Sequence, residues 1–172
     1  MVGGSASSGG AASPGAAAPP TARWVDGVAS RVTLAAADTG GRVAVLEEVA
    51  PHGTASPLHS HPEDETWHLL EGEVTFWLGA EPPRRARAGE TVFAAGGLPH
   101  ALRVDSAGAR MLVVSTPAGL ERWTELLGTA HPDDPPPTRS RVSAVARQLG
   151  VVVHGPPPLT DDSRAVAQSL RP

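Results

Sequence analysis

Four residues carry most of the chemistry in this chain: His59, His61, Glu65 and His100. His59-Ser60-His61 sets two imidazoles two positions apart, and on an extended chain both point to the same face. Glu65 follows four residues after His61, and His100 lies much further along. Imidazole nitrogens with one carboxylate suit a divalent first-row metal: iron, manganese, nickel, cobalt, copper or zinc. Glu65 is also the candidate catalytic residue, because a carboxylate beside a metal can switch between ligand and general base. The alternative is a set of surface histidines and a solvated acid. Glu63 and Asp64, which precede Glu65, are expected in a solvated loop.

Composition narrows the other options. The chain of 172 residues has no Cys, Lys, Tyr, Ile or Asn, and its 14 basic residues are all Arg. Thiol nucleophiles, Schiff-base lysines and phenol acids are therefore excluded, as are disulfides and thiolate metal sites. The net charge is −4. Arg84, Arg85 and Arg87 form a local cluster, expected on an exposed strand face, and no longer basic run exists to bind nucleic acid. No 18-residue apolar run predicts a membrane span. The N-terminus lacks the basic and apolar regions of a secretory signal. The expectation is a cytoplasmic protein with no nucleic-acid or membrane partner.

The elements that must position these residues read as β structure. Residues 1–20 are mostly Gly, Ala, Ser and Pro and predict a disordered tail. Structure is expected from Arg23-Trp24-Val25, with a β domain over 21–118. Strands are predicted over Arg42–Val49, Thr66–Leu70, Val74–Leu78, Thr91–Phe93, Ala101–Val104 and Arg110–Ser115. Glu71-Gly72-Glu73 is predicted as a tight hairpin turn. The period then changes. Leu120, Trp123, Leu126 and Leu127 share one helical face, with Gly128 suited to cap it. A second helix is expected over Ser140–Leu149 before Gly150. The segment 119–172 thus forms a helical, Pro-rich extension.

On these residues the chain resembles the cupin superfamily. Gly53, His59, His61, Glu65 and Gly72 match every gap of the first cupin motif, and Gly89, Gly97 and His100 fit the second. Ala95 stands where the second motif has Pro, and Val104 where it has Asn. The resemblance covers roughly residues 40–118. It implies an all-β fold: one cupin barrel, a double-stranded β-helix or jelly roll. It also implies that His59, His61, Glu65 and His100 are the metal ligands, with open positions for water, substrate or dioxygen. A homodimer is implied too, and unpaired edge strands would be a liability in a monomer.

Strand parity extends the prediction. If Glu65 and His100 face inward, so do Trp67, Leu69, Leu102 and Val104, and Phe76 is expected to join them. These residues either line a pocket for a small-molecule substrate or form ordinary barrel core. His68 has the opposite parity to Glu65 and should face outward. His52, His131 and His154 are expected in structural or solvent roles.

The segment His59–His68 looks like that of small bacterial cupins resembling quercetin 2,3-dioxygenase. Thr116–Trp123 and Leu149–Pro157 look like the helical extension of the same subgroup. That resemblance implies a metal-dependent oxygenase using dioxygen on a phenolic, enolic or polyketide-derived molecule. Two alternatives stand beside it: a redox-neutral cyclase or isomerase in natural-product biosynthesis, and a non-catalytic small-molecule-binding cupin.

Overall fold

A computed structural model describes residues 21–158. The expected tail over 1–20 and the chain beyond 158 lie outside the described residues. The strands are β1 (Arg23–Val25), β2 (Val28–Leu34), β3 (Ala44–Pro51), β4 (Leu58–Ser60), β5 (Asp64–Glu71), β6 (Glu73–Leu78), β7 (Arg84–Arg87), β8 (Thr91–Ala94), β9 (His100–Val104), β10 (Gly108–Thr116) and β11 (Val152–Gly155). The helices are α1 (Ala36–Thr39), α2 (Glu121–Leu127) and α3 (Arg139–Leu149).

Two antiparallel sheets form a jelly-roll-like β sandwich, ordered β1-β2-β3-β10-β5-β8 and β11-β4-β9-β6-β7. Alternation along each strand decides what lies between them. In the first sheet Leu46, Val113 and Trp67 sit in one register row, and Met111 and Leu69 in the next. In the second, Val74 pairs with Val104 and Phe76 with Leu102. Trp67, Leu69, Val74, Phe76, Val92, Val104 and Met111 make one buried core cluster. Val32, Leu78, Leu98 and Leu102 pack against it with part of their surface open.

The outer face of the first sheet is tied by charge. Glu47 accepts hydrogen bonds from Arg31 on β2 and from Arg110 Nε on β10, the latter at 2.7 Å. His68 also faces outward as parity predicts, its Nδ1 2.9 Å from Thr91 Oγ1.

Three expectations need correction. Glu71-Gly72-Glu73 is not a hairpin turn, because β5 belongs to the first sheet and β6 to the second. The chain turns a corner there. Gly72 has φ +88°, and a Cβ on it would meet Gly108 O at 2.4 Å, so the corner is packed against the start of β10.

The buried face of α2 is also rotated from the expected one. Glu121, Thr124 and Leu127 are buried, while Leu120, Trp123 and Leu126 keep partial exposure. Polar pairing causes this. Glu121 Oε2 accepts from Gly119 N at 2.8 Å and its Oε1 from Ala36 N at 3.3 Å. Thr124 Oγ1 meets Ser30 Oγ at 3.1 Å. Gly128 does cap α2, but in an extended conformation.

Finally, the extension expected to be helical and Pro-rich also supplies a strand, Val152–Gly155. It is strand β11, and it pairs Val152 with Ser60 and Val153 with His59.

Candidate metal centre

The two histidines of the first motif come from β4 and the residue just beyond it. His59 pairs with His100, the first residue of β9, in the antiparallel register. Both imidazoles therefore share the inner face. The ring centroids of His59 and His100 are 4.5 Å apart, and those of His61 and His100 4.8 Å. One nitrogen from each of His59, His61 and His100 can be chosen so that all lie within 4.8 Å of one another. Glu65 arrives from the opposite sheet, in register with Ser115 on β10 and Ala94 on β8. Its Oε2 is 3.0 Å from His61 Nε2 and 3.2 Å from His100 Nε2. The four sequence-singled residues thus meet inside the barrel.

The loop between β8 and β9 is fastened to the first motif. Gly97 N donates to His61 O at 2.7 Å, and Gly96 N to Asp64 Oδ1 at 2.7 Å. A Cβ on Gly96 would fall 2.2 Å from Pro62 O, so this approach needs glycine. Leu98 N closes a turn onto Ala95 O at 3.0 Å, so Ala95 serves where the motif has Pro. Asp64 therefore clamps the loop while keeping part of its surface open.

Hydrogen bonds set the imidazole tautomers. His59 Nδ1 lies 2.8 Å from Pro57 O, and His100 Nδ1 2.8 Å from Leu98 O. A carbonyl can only accept, so each Nδ1 carries the hydrogen and each Nε2 offers a lone pair. Among the described residues His100 Nε2 is buried without a hydrogen-bond donor, and the atom it faces, Glu65 Oε2 at 3.2 Å, is another acceptor. A buried orphan lone pair is costly, and a cation would satisfy it.

Charge follows the same plan. Burial, helped by His100, pushes His59 down to about 4, which keeps it neutral. Burial opposes charge on Glu65, but the adjacent His100 and His61 imidazoles outweigh it and hold the carboxyl well below its usual range. Burial also opposes charge on His61, yet the Glu65 hydrogen bond and charge raise it. An ionised carboxylate and a neutral His59 are what a divalent ion requires, and the ion would displace the proton that Glu65 favours on His61, so the residues fit such a group.

The other singled-out residues have definite places. Trp67, Leu69, Phe76 and Val104 lie on the inner face as closed core, exposed by 3% or less. Leu102 keeps part of its surface open. Trp67 connects core to site, its ring 5.5 Å from that of His100. His154 Nε2 is 2.9 Å from the Oγ of Ser60, the residue between His59 and His61.

Sequence reasoning missed Glu48. It shares the inner face with Leu46 and Ala50, in register with Met111 and Ser30. Ser30 Oγ donates to its Oε1 at 3.3 Å. Burial, then the charge of Glu65, raises Glu48 to about 7. Its inward parity within Leu46-Glu47-Glu48-Val49-Ala50 was the available signal.

This gives a prediction for the metal-free protein. A carboxyl raised on folding costs stability as pH climbs from about 4.5 towards 7, because the folded state holds the proton longer. Glu48→Gln should leave stability near pH 4 unchanged. At pH 8 it should add roughly 1–2 kcal/mol, the full shift being discounted for partial exposure. Urea unfolding at the two pH values checks it, and equal stability of the two proteins at pH 8 would refute it.

Comparison with known proteins bears on the fold. Residues 45–115 match the family model for the cupin domain. A stretch of 53 residues is 43% identical to the dimethylsulfoniopropionate lyase DddQ of Ruegeria pomeroyi, covering 31% of this chain and 26% of the lyase. The match thus spans about a quarter of that relative's length. Among solved structures, a Bacillus subtilis oxalate decarboxylase variant superposes with TM-score 0.51 at 20% identity, over 56% of this chain and 27% of that one. KdgF from Halomonas sp. gives TM-score 0.51 at 14% identity, over 56% and 86%. These two likenesses show a common fold.

Proposed function

Taking the cupin domain as premise, we propose that this chain is a metal-dependent oxygenase acting on a phenolic, enolic or polyketide-derived small molecule. The supporting observation is Glu65 Oε2, set between His61 Nε2 and His100 Nε2. His59, His61, His100 and Glu65 would hold one divalent first-row ion. When bound, that ion supplies Lewis acidity and, if redox-active, a route to dioxygen.

The chain's own groups do the rest. Glu65 is ionised and can take a proton from an acidic hydroxyl brought to the site. His59 is only half-buried and stands at the open side of the cluster. Leu78, Leu98, Leu102 and Val32 offer a partly open apolar wall, suited to a ring or an enolic chain. The likeness to quercetin 2,3-dioxygenase-like cupins supports the oxidative form. We also propose a homodimer, since the edge strand β8 leaves Phe93 54% exposed.

A second reading has its own support. The aligned lyase is named for an elimination, which is redox-neutral. Glu65 would then remove a proton from carbon rather than oxygen.

Oxygen consumption separates the two. Metal-loaded protein should consume dioxygen with a flavonol and stop turning over under strict anaerobiosis. Product formed at the same rate without dioxygen, from a flavonol or from dimethylsulfoniopropionate, would overturn the oxygenase reading in favour of the second.

A further inference from the structure

His61 is the odd member of the cluster. The Nδ1 atoms of His59 and His100 are held by backbone carbonyls. His61 Nδ1 instead faces the Glu63 carboxylate, with Oε2 at 3.4 Å. Both of these atoms are buried, and among the described residues neither has another side-chain hydrogen-bond partner. Buried polar atoms left in this state are rare, so two facing each other need an explanation.

The Glu63 side chain is also confined. It is 14% exposed, and a Cβ built on Gly119 would meet its Oε1 at 2.2 Å. The segment between β10 and α2 therefore lies directly against the carboxylate. That segment is itself anchored, because Gly119 N donates to the buried Glu121 Oε2 at 2.8 Å.

We propose that Glu63 is a positioning residue for the metal centre: it accepts the Nδ1–H of His61 and so turns the Nε2 lone pair toward His59 and His100. Gly119 is the stop that keeps Glu63 in place. A carboxylate strengthens the donor imidazole more than a carbonyl does, so His61 becomes the strongest nitrogen ligand of the set. Glu63 is thus no solvated acid of the barrel rim, and β10–α2 geometry is coupled to the site through one missing methyl group. This rests on the metal-binding part of the proposed function and not on the reaction.

The test uses full-length protein, Co2+ affinity by chelator competition, and the pulsed EPR signal of the remote imidazole nitrogens in the Cu2+ form. Glu63→Ala should weaken Co2+ binding by about 10–100-fold, the usual effect of losing an outer partner. Glu63→Gln keeps an accepting oxygen and should recover most of the loss. Gly119→Ala displaces only the end of a flexible side chain, so it should fold normally and weaken Co2+ as Glu63→Ala does. One of the remote-nitrogen couplings should change in Glu63→Ala and return in Glu63→Gln. Wild-type affinity and unchanged couplings in Glu63→Ala would overturn the proposal while leaving the metal reading intact. Failure of the wild-type protein to bind Co2+ or Cu2+ would overturn both.

Discussion

His100→Ala protein will fold, and it will no longer hold a divalent first-row ion. His100 is the only one of the three clustered imidazoles that comes from the second motif, and it sits between His59, His61 and Glu65. Its loss removes a nitrogen from the centre of the set rather than from its rim. Affinity should fall by more than the roughly 10–100-fold expected for an outer partner. The fold should survive, because the core cluster around Trp67, Leu69 and Phe76 does not include His100. Elemental analysis after dialysis reads the metal, and circular dichroism reads the fold. His52→Ala and His68→Ala serve as controls, since their imidazoles bond Ser106 O and Thr91 Oγ1 away from the cluster. Equal metal content in His100→Ala and wild type would end the four-ligand proposal.

The largest stability effect should come from Trp77→Ala. Trp77 is on the face of β6 opposite Phe76, yet it is fully buried with Leu58 and Ala101. Arg103 covers its ring at 5.3 Å. Removing a buried indole should cost about 3–5 kcal/mol, a large share of the roughly 5–15 kcal/mol that holds a domain together. Trp77→Phe should cost clearly less, because it keeps a ring and deletes a buried N–H that has no partner. Chemical denaturation of all three proteins gives the comparison. A Trp77→Ala loss under about 1 kcal/mol would show that this second cluster contributes little. Leu58 precedes His59 directly, so the same packing fixes the strand that carries the first candidate ligand.

The candidate centre was legible because its message is local. His59-Ser60-His61 and Glu65 need only side-chain types, fixed gaps and the two-residue period of a strand. The same parity placed Trp67, Leu69, Phe76, Leu102 and Val104 on the inner face, and sent His68 outward. What stayed hidden depends on partners far away in the chain. Nothing near Gly72 says that β5 and β6 enter different sheets; the reason is Gly108, which meets the corner from the start of β10. The apolar stripe of α2 suggested the wrong face, because Glu121 and Thr124 satisfy backbone and hydroxyl groups from residues 36 and 30. Glu63 and Asp64 looked solvated because acids usually are. Their partners, His61 Nδ1 and Gly96 N, appear only after the second motif has docked on the first.

Strand β11 reaches the site's supporting strand from the far end of the chain. β4 meets β9 through a single register pair, His59 with His100, and its other edge is filled by residues 152–155. A nascent chain that has released residue 100 but not residue 152 already displays all four candidate ligands. Their supporting strand then still has one flank bare. The strand that carries His59 thus gains its second neighbour only from the segment that follows both helices of the extension.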